Sequence, residues 1–570
     1  MSANVAEIIV ETLQSAGAKR CYGVVGDTLN HFTDALRQSD IQWIGVRHEE
    51  VGGFAAGGEA YMTQELALCA GSCGPGSLHF VNGLFDAHRN GSPVVLIASQ
   101  IGLSDTGSQF PQEVDQSAIF KQYSVFCETV VSAEQARRMA ALAAQAALAK
   151  RGVAVLIVPG DVMTQTPDNQ LGYRTHRFSY SLRPTAQALV PAVEQLNKGG
   201  NITIFAGAGC EDAREQVIAL AEKLQAPIAW TSRAKDFIEH DNPYHVGMTG
   251  VYGLEGGYHA VAECDTLLLL GCNFAFSQFY PERATIIQVD QDPTHIGKRY
   301  PVDVGIVGST RDTCEALTQV VKENTRSHWL EKCRKRYAKS LEKSAHQSRD
   351  SQVIHPQELT LAIDRHAAEN AFFTADTGSV NVWMLRHIRA SQQRRTLASL
   401  QHGTMANAYP QALGIQLAYP HRQVIAMCGD GGLTMLMGDL LTLVQQQIPL
   451  KIVVYNNSSL SFVELEQKVE GLLDAYTELK NPNFGEVATA MGLWGRRVEQ
   501  EAELDVAISQ WLAQPGPALL DVVVNPMELV MPPKVEAGQV ASTALYSAKA
   551  VLSGRMDEVV HLVKSNFLKR

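Results

Sequence analysis

The sequence predicts an α/β fold made of three doubly wound parallel-sheet domains, followed by a C-terminal amphipathic tail. Short apolar runs rich in β-branched residues recur along the chain between longer segments with helical periodicity, and many of these runs end at a Gly, Asp or Asn. Buried parallel strands read as continuous apolar runs, and ligands of such sheets bind beyond the carboxyl ends of the strands. The predicted strands are 66–70, 94–98, 153–158, 202–206, 266–270, 286–289, 371–375, 424–427, 450–455 and 519–524.

Two breaks in this pattern divide the chain. Its 570 residues are more than one hydrophobic core supports. The stretch 164–184 is polar and contains Pro, as expected of a linker. The stretch 324–352 is highly charged, which favours a solvated helix with a connector over a binding patch. We therefore predict domains at 1–180, 185–335 and 353–530, with a tail at 531–570.

The composition excludes some classes of function. A net charge of -11 argues against a nucleic-acid partner, because phosphate binding needs concentrated positive charge. The ten cysteines are scattered without a C-x-x-C pair, which is typical of buried, reduced thiols in a cytosolic protein. The N-terminus lacks the layout of a signal peptide, and no apolar run approaches the roughly 20 residues that span a bilayer. Any membrane contact is therefore expected to be peripheral.

The strongest local motif joins two predicted strand ends. Gly429-Asp430-Gly431 follows one apolar strand, and Asn456-Asn457 follows the next. Asp430 and Asn457 can place hard oxygen ligands around one Mg²⁺, whose remaining positions go to phosphate oxygens, a carbonyl and water. Gly431 and Gly432 let the backbone approach a diphosphate. The pair of motifs at this spacing predicts a Mg²⁺-diphosphate site.

This arrangement resembles the thiamine diphosphate (ThDP) motif of the superfamily that contains pyruvate oxidase, acetolactate synthase and pyruvate decarboxylase. The resemblance implies that Asp430, Asn457 and the carbonyl of Ser459 hold Mg²⁺. It also implies that Met405 is the bulky apolar residue that holds the cofactor bent, although from pattern alone Met405 would be core filler. The residues implied to contact ThDP are Gly403, Thr404, Met405, Asp430, Gly431, Gly432, Asn457, Ser458, Ser459, Leu460, Ser461, Phe462 and Val463.

The segment that begins at Arg47-His48-Glu49-Glu50 looks like the catalytic-glutamate signature of this superfamily. In the family a glutamate bonds the aminopyrimidine ring and promotes loss of the thiazolium C2 proton. We assign this role to Glu49, with Glu50 as the alternative. A buried carboxyl has a raised pKa, which suits proton sharing near neutrality. Gln112 matches a substrate contact, but Pro111 stands where relatives carry Phe, so the aromatic wall is expected to shift.

The middle domain carries the features expected of a flavin site. Gly207-Ala-Gly209 follows a predicted strand, and Asp290 follows another, where a carboxylate can accept ribose hydroxyls. Resemblance to the FAD contacts of pyruvate oxidases implies a larger set of contact residues. These are Thr249, Gly250, Val251, Tyr252, Cys272, Asn273, Phe274, Ala275, Phe276, Asp290, Gln291, Asp292, Pro293, Thr294 and His295.

Along nearly its whole length the chain resembles the bacterial ubiquinone-dependent pyruvate dehydrogenases, also called pyruvate oxidases. Matching stretches include 47–50, 69–76, 82–86, 427–432 and 435–439. The resemblance implies oxidation of pyruvate to acetate and CO₂, with electrons passing from hydroxyethyl-ThDP to FAD and then to ubiquinone. It also implies that Phe462 enters the active site on activation. The alternatives are an acetolactate synthase-like carboligase, an oxygen-dependent pyruvate oxidase that makes acetyl phosphate, and a non-catalytic binding protein.

The tail and the oligomeric state complete the prediction. Apolar residues of 556–570 fall on one helical face beside basic residues, a pattern typical of a helix docked on the body. The resemblance implies instead that this helix binds membrane lipid and covers the active site at rest, with the protein cytoplasmic and peripheral on the inner face of the cell membrane. Because Glu49 and Asp430 lie in different domains and family sites form across subunits, we expect a homo-oligomer, a tetramer.

Overall fold

The computed structural model describes residues 3–169, 171–345 and 353–526, together with Glu528, Tyr546, Lys549 and Ala550. These residues form three six-stranded parallel sheets flanked by helices, which confirms the predicted fold class. All ten predicted strands are present, two with the predicted bounds and eight with ends that shift by one or two residues. All ten cysteines are buried and unpaired, as predicted. The predicted tail helix at 556–570 lies outside the described residues.

The first unit opens with a helix whose start is fixed by a capping box, because Asn4 and Glu7 each accept the other's backbone N–H. Its strands are β1 Arg20–Gly23, β2 Gln42–Gly45, β3 Ala67–Gly71, β4 Val94–Gln100, β5 Phe126–Thr129 and β6 Val153–Pro159. Its helices are α1 Val5–Ser15, α2 Asn30–Arg37, α3 Glu49–Thr63, α4 Pro75–Leu78, α5 Val81–Asn90, α6 Gln116–Phe120, α7 Ala136–Lys150 and α8 Gly160–Met163. The strand order is β2-β1-β3-β4-β6-β5.

The middle unit has a different strand order. Its strands are β7 Ile202–Ala206, β8 Ile228–Trp230, β9 His245–Met248, β10 Thr266–Leu270, β11 Thr285–Asp290 and β12 Val304–Val307. Its helices are α9 Ala186–Leu196, α10 Arg214–Leu224, α11 Lys235–Ile238, α12 Glu255–Ala262, α13 Thr310–Val320 and α14 His328–Ala345. The order β12-β11-β10-β7-β8-β9 places its reversal point between β7 and β10, and ligands of open sheets bind at such points.

The third unit repeats the topology of the first. Its strands are β13 Phe372–Ala375, β14 Arg395–Ala398, β15 Val424–Gly429, β16 Lys451–Asn456, β17 Trp494–Val498 and β18 Ala518–Val523. Its helices are α15 Pro356–His366, α16 Ser379–His387, α17 Ala408–Ala418, α18 Asp430–Leu436, α19 Leu440–Gln445, α20 Ser461–Val469, α21 Phe484–Ala490 and α22 Leu504–Leu512. The order β14-β13-β15-β16-β18-β17 reverses between β13 and β15. Asp376 and Asp430 follow these two strands.

The first and third units pack through helices α3 and α17. A Cβ on Gly58 would overlap the backbone of Gln411, and a Cβ on Gly414 would overlap the carbonyl of Ala55. The two helices therefore touch backbone to backbone at two points, where only glycine fits. This contact fixes how the two sheets lie relative to each other.

The charged stretch that follows α13 contains a long helix. α14 buries Trp329 and Cys333 against the middle unit, while Lys332 and Arg336 pair with Glu263. The helix is therefore solvated on one face only. Across the described ranges, the structure contains no helix that is long and apolar enough to span a membrane.

Candidate active site

A cavity of about 240 Å³ opens at the reversal point of the third sheet. Helix α16 begins there, directly after β13, so Gly378 and Ser379 form part of the wall. The lining residues are Asp376, Thr377, Gly378, Ser379, Val380, Gly403, Met405, Gly429, Asp430, Gly431, Gly432, Tyr455, Asn457, Ser459, Leu460, Ser461, Phe462 and Val463. Most residues predicted to contact ThDP in this unit therefore line one cavity.

Asp430 is the central carboxylate of this cavity and is buried. It accepts hydrogen bonds from the backbone N–H of Gly431 at 2.8 Å and of Ser458 at 2.7 Å. The amide of Asn481 donates a third, at 2.8 Å. Burial raises the pKa of Asp430 above its usual range, and the three hydrogen bonds oppose that rise. The carboxylate is thus held in place from two strand ends.

Asn457 and Ser459 follow β16 in a tight turn. Ser458 has a φ of 56°, in the left-handed region, and the N–H of Ser459 donates to the Asn457 side chain at 3.0 Å. In the described part of the chain, no three His, Cys, Asp or Glu side chains cluster as a metal site. The predicted donor set of one carboxylate, one amide and one carbonyl fits Mg²⁺, which keeps phosphate and water ligands.

Glycines leave room for a bound diphosphate in this cavity. Gly378 and Gly403 have φ values of 135° and 76°, and a Cβ on either would meet nothing within 4 Å. The Thr377 hydroxyl is buried and has no partner among the described residues. A buried hydroxyl without a partner is costly, so a ligand that accepts its hydrogen bond would stabilise this cavity. These features fit the diphosphate of ThDP.

Met405 and Leu460 stand at the apolar side of the cavity. A Cβ on Gly431 would lie 2.8 Å from Leu460 Cδ2 and 3.2 Å from Met405 Cε. Both side chains therefore occupy the space that a side chain at Gly431, the residue after Asp430, would need. Thr404 points elsewhere, because its hydroxyl accepts a hydrogen bond at 3.0 Å from Asn82 of the first unit.

The two candidate acids at the start of α3 have different partners. Glu49 is 8% exposed, and its Oε2 lies 2.9 Å from His79 Nδ1. The His79 ring stacks on His48 with centroids 4.7 Å apart. Glu50 accepts a hydrogen bond at 2.6 Å from Asn82. Glu49 is therefore tied to a titratable ring, whereas Glu50 belongs to the contact between the first and third units.

The cavity and Glu49 are not brought together within the described residues of one chain. All of the residues that line the cavity fall between 376 and 463. Gln112 also lies apart from the cavity, where its Oε1 accepts a hydrogen bond from the Cys73 thiol at 3.1 Å. Gln112 has a φ of 70° and sits on an exposed loop next to Phe110. Neither the predicted carboxylate Glu49 nor the predicted substrate residue Gln112 lines this cavity.

Phe462 connects the cavity with the middle unit. It lines the cavity from the start of α20, and its ring centroid is 6.4 Å from that of Tyr252 in an edge-on contact. The loop that carries Tyr252 was predicted to contact FAD. The predicted flavin segment therefore reaches the wall of the predicted ThDP cavity.

The predicted flavin residues cluster at the reversal point of the middle sheet. A Cβ on Gly250 would lie 3.0 Å from the Phe274 ring, so the segments 249–252 and 272–276 are adjacent. The Thr249 hydroxyl is buried and has no partner within the described ranges. Asp290 ends β11 with its carboxylate 3.3 Å from His295 Nδ1. A buried hydroxyl without a partner and, elsewhere along the same sheet edge, a strand-end carboxylate are groups that a dinucleotide can use.

The glycine pair of this unit has a packing explanation as well. A Cβ on Gly209 would lie 2.7 Å from Gly271 Cα, and Gly207 also packs against the backbone of Gly271. The loops after β7 and β10 thus approach so closely that both glycines are required even when no phosphate is bound. The motif Gly207-Ala-Gly209 alone is no evidence for a nucleotide.

Several site residues were missed by sequence reasoning. Asn481 holds Asp430, and Asp439 accepts hydrogen bonds from the backbone N–H groups of Arg47 and His48 at 3.0 and 2.8 Å. Asn481 follows no strand and belongs to no matched motif, whereas Asp439 ends the matched stretch 435–439 but was given no role there. The turn signal Asn-Pro-Asn at 481–483 could have indicated a loop near the site but not its contact.

Comparison with known proteins follows the same division of the chain. The model of the N-terminal TPP-binding domain of thiamine pyrophosphate enzymes matches residues 3–119. The models of the central domain and of the C-terminal TPP-binding domain match residues 189–317 and 376–522. The chain belongs to the thiamine pyrophosphate enzyme family. Within it, the chain is a ThDP-dependent enzyme of the pyruvate oxidase and acetolactate synthase group.

Curated relatives cover nearly the full chain. YdaP of Bacillus subtilis, whose name describes a thiamine pyrophosphate-containing protein, is 32% identical over 99% of this chain and 98% of its own length. Pyruvate oxidase of Lactiplantibacillus plantarum is 28% identical over 91% of this chain and 88% of its own. The large subunit of acetolactate synthase isozyme 2 of Escherichia coli is 29% identical over 93% of this chain and 97% of its own length.

Proposed function

We propose that this enzyme is a flavin-dependent pyruvate oxidase that converts pyruvate to acetate and CO₂ and passes the electrons through FAD to ubiquinone. The observation that carries the proposal is the contact between Phe462 and Tyr252. It joins the wall of the ThDP cavity to a loop whose neighbour Thr249 has a buried hydroxyl without a partner in the described structure. An oxidase needs such a short path between its two cofactors.

Each group of residues has a separate task in this proposal. Asp430, Asn457 and the Ser459 carbonyl would hold Mg²⁺, and Met405 with Leu460 would shape the bound ring system. When bound at these residues, ThDP would supply a carbon nucleophile for the keto carbonyl, and FAD would supply an acceptor for two electrons. Glu49 would hold a proton at the aminopyrimidine ring, as a general acid–base group does. Its neighbour His79 orients the carboxylate at 2.9 Å.

The apolar wall of the cavity suits decarboxylation. Leu460, Phe462 and Val463 line one side, where they would displace water once a keto acid is bound. A water-poor site disfavours the charged carboxylate of a bound keto acid more than the state from which CO₂ has left. The same wall would keep the flavin-facing side dry.

A carboligase is the second candidate, and the comparisons favour it as much as the oxidase. Identity to the acetolactate synthase subunit is 29% and to the pyruvate oxidase 28%. A carboligase would use the same Mg²⁺-diphosphate residues and could bind FAD without turning it over. The two functions differ in what happens to the flavin.

The visible spectrum of the purified protein tests this difference. The protein is mixed without oxygen with pyruvate, ThDP and Mg²⁺, and bound flavin is followed at its absorption maximum. We expect the flavin to bleach and to reoxidise when a soluble quinone analogue is added. A flavin that stays oxidised while pyruvate is consumed would contradict the oxidase and support the carboligase.

We also propose that residues 531–570 act as a lipid-responsive tail and that the protein works at the inner face of the cell membrane. Among the described residues, the Tyr546 ring lies 5.4 Å from Lys468 Nζ on α20, the helix that carries Phe462. Deletion from residue 547 onward is expected to raise basal activity and to abolish stimulation by phospholipid vesicles. A truncated protein that is still stimulated by vesicles would exclude this role.

A further inference from the structure

Helix α5 of the first unit contacts the loop of the third unit that carries Gly403 and Met405. This loop, residues 399–405, is called the ring loop below because it is proposed to face the rings of ThDP. Asn82 binds the Thr404 hydroxyl at 3.0 Å and lies 2.7 Å from His402 Nε2. Phe85 contacts the His402 ring edge-on at 4.5 Å. Asn82 and Phe85 share one face of α5 because they lie three positions apart, and Asp86, four positions after Asn82, lies on the same face.

Asp86 is the third member of this face. It is buried, and its Oδ1 accepts a hydrogen bond at 2.6 Å from the hydroxyl of Ser399. The other oxygen accepts from Gln411 at 2.8 Å and Asn90 at 3.2 Å. Burial raises the pKa of Asp86 to about 6, so the carboxyl is largely ionised at neutral pH. None of these contacts belongs to the Mg²⁺ site.

Ser399 links Asp86 to the ring loop by hydrogen bonds. Its hydroxyl oxygen accepts hydrogen bonds from the backbone N–H groups of Gly403 and Thr404, both at 3.1 Å. A serine hydroxyl has one donor and two acceptor positions. Asp86 takes the donor, so both acceptor positions are directed to the loop. The hydroxyl is fully used and cannot rotate away without breaking a bond.

We propose that Asp86 is a positioning residue that acts through Ser399 to hold the ring loop in the conformation that binds ThDP. The inference rests on the proposed ThDP site at Gly403 and Met405. Gly403 is in the left-handed region with its open side toward the cavity. Its N–H points to Ser399, where the backbone carbonyl accepts it at 2.9 Å and the hydroxyl at 3.1 Å, while the Thr404 N–H donates to the same hydroxyl. The hydroxyl therefore adds a side-chain contact to the backbone hydrogen bond and supports this orientation of the loop. The Asp86 carboxylate is not among the residues that line the cavity.

The test compares two serine-to-alanine variants of the full-length protein. Ser399→Ala removes the hydroxyl from the network. Ser92→Ala is the matched control, because Ser92 is also buried but its hydroxyl has no partner among the described residues. ThDP binding at fixed excess Mg²⁺ is measured by equilibrium dialysis, and the melting temperature of each protein is recorded.

We expect Ser399→Ala to raise the dissociation constant of ThDP by about tenfold, and Ser92→Ala to change it by less than about twofold. Asp86→Asn should also weaken binding, because its new amide would face the donor groups of Gln411 and Asn90. Wild-type affinity in Ser399→Ala would overturn the proposal, as would equal weakening in both serine variants. Dialysis needs no turnover, so a wild-type protein that binds ThDP but never reduces its flavin would refute the oxidase alone.

Discussion

At the scale of single residues, Glu49 and Glu50 differ by what they touch. Glu49 lies beside His79, whereas Glu50 supports Asn82 and through it the ring loop. Glu49→Gln is expected to lower kcat by about 10²- to 10⁴-fold with ThDP affinity retained, because a general acid–base group is lost. Steady-state kinetics at saturating ThDP and pyruvate would measure this change.

Glu50→Gln is the comparison for that variant. It removes the charge that accepts the Asn82 hydrogen bond, so we expect weaker ThDP binding, by roughly tenfold, and a kcat close to normal once ThDP is saturating. If Glu50→Gln abolished kcat and Glu49→Gln only weakened binding, the two roles would be reversed.

His245 makes the middle unit sensitive to acid. Burial, with Lys235, Arg334 and Arg214 nearby, lowers the pKa of His245 to about 4. Because the folded-state pKa is lower than the unfolded value near 6.5, the unfolded chain binds a proton at this histidine more readily than the folded chain does. The free energy of unfolding is therefore unaffected by His245 above pH 6.5 and decreases as the pH falls toward 4. Relative to His245→Phe, the wild type should lose on the order of 2–3 kcal/mol of unfolding free energy between pH 7 and 4.5.

Urea unfolding of both proteins at the two pH values measures this loss. Phe keeps the edge-on contact with the Tyr337 ring, 5.1 Å away. The exposed His421→Phe serves as the control. A wild-type and a His245→Phe protein with parallel pH profiles would show that the buried ring does not control acid stability.

The site residues found from sequence and those missed differ in one physical respect. Asp430, Asn457 and Met405 sit where strands end or in matched motifs, so local pattern indicates them. Asn481 and Asp86 act through partners that are distant along the chain, 51 positions away for Asp430 and 313 for Ser399, and the matched stretch 82–86 gave Asp86 no such role. No local pattern records such a partner, so the supporting contacts required the folded structure.

At the scale of elements, the strands missed from sequence include all six sheet edges. These are β2, β5, β9, β12, β14 and β17. An edge strand has one neighbour, and several of these have partly exposed residues, as in β2 and β17. Edge strands therefore do not read as continuous apolar runs, whereas the central strands do. The inner strands β1 and β8 were missed because they are short, with four and three residues.

Helix α16 connects the two proposed cofactor sites. Its first residue, Ser379, lies 3.1 Å from Ser461 beside Phe462. In its last turn the partly buried Arg386 donates to the carbonyls of Tyr252 at 2.9 Å and Gly253 at 3.1 Å. Arg386→Met is expected to slow reduction of bound flavin by pyruvate by about tenfold or more, because hydrogen bonds from a charged group are lost.

Anaerobic stopped-flow absorbance would measure the rate of flavin reduction. Arg389→Met is the matched control, since its exposed guanidinium pairs with Asp364 away from the loop. An unchanged reduction rate in Arg386→Met, with flavin still bound, would mean that Tyr252 keeps its position without the hydrogen bonds from Arg386.

At the scale of the whole molecule, Asp430 lines the cavity and Glu49 does not, within the described residues of one chain, and we propose that a second subunit brings a Glu49 to it. Mixing Glu49→Gln with Asp430→Asn tests this idea. Random reassembly makes half of the pairs hybrid, and each hybrid would have one intact shared site, so about a quarter of wild-type activity should return. Sites built within single chains would stay inactive in every mixture.

The glycine contact between α3 and α17 bears on how such chains can recombine. Gly58 and Gly414 sit 356 positions apart, yet each is required by the backbone opposite it. A crossover between two parents is tolerated only when both glycines are inherited, because one larger side chain would force the helices apart. The first and third units should therefore come from parents that both keep these glycines, and the middle unit should come with the third, whose Arg386 and Phe462 contact its Tyr252 loop.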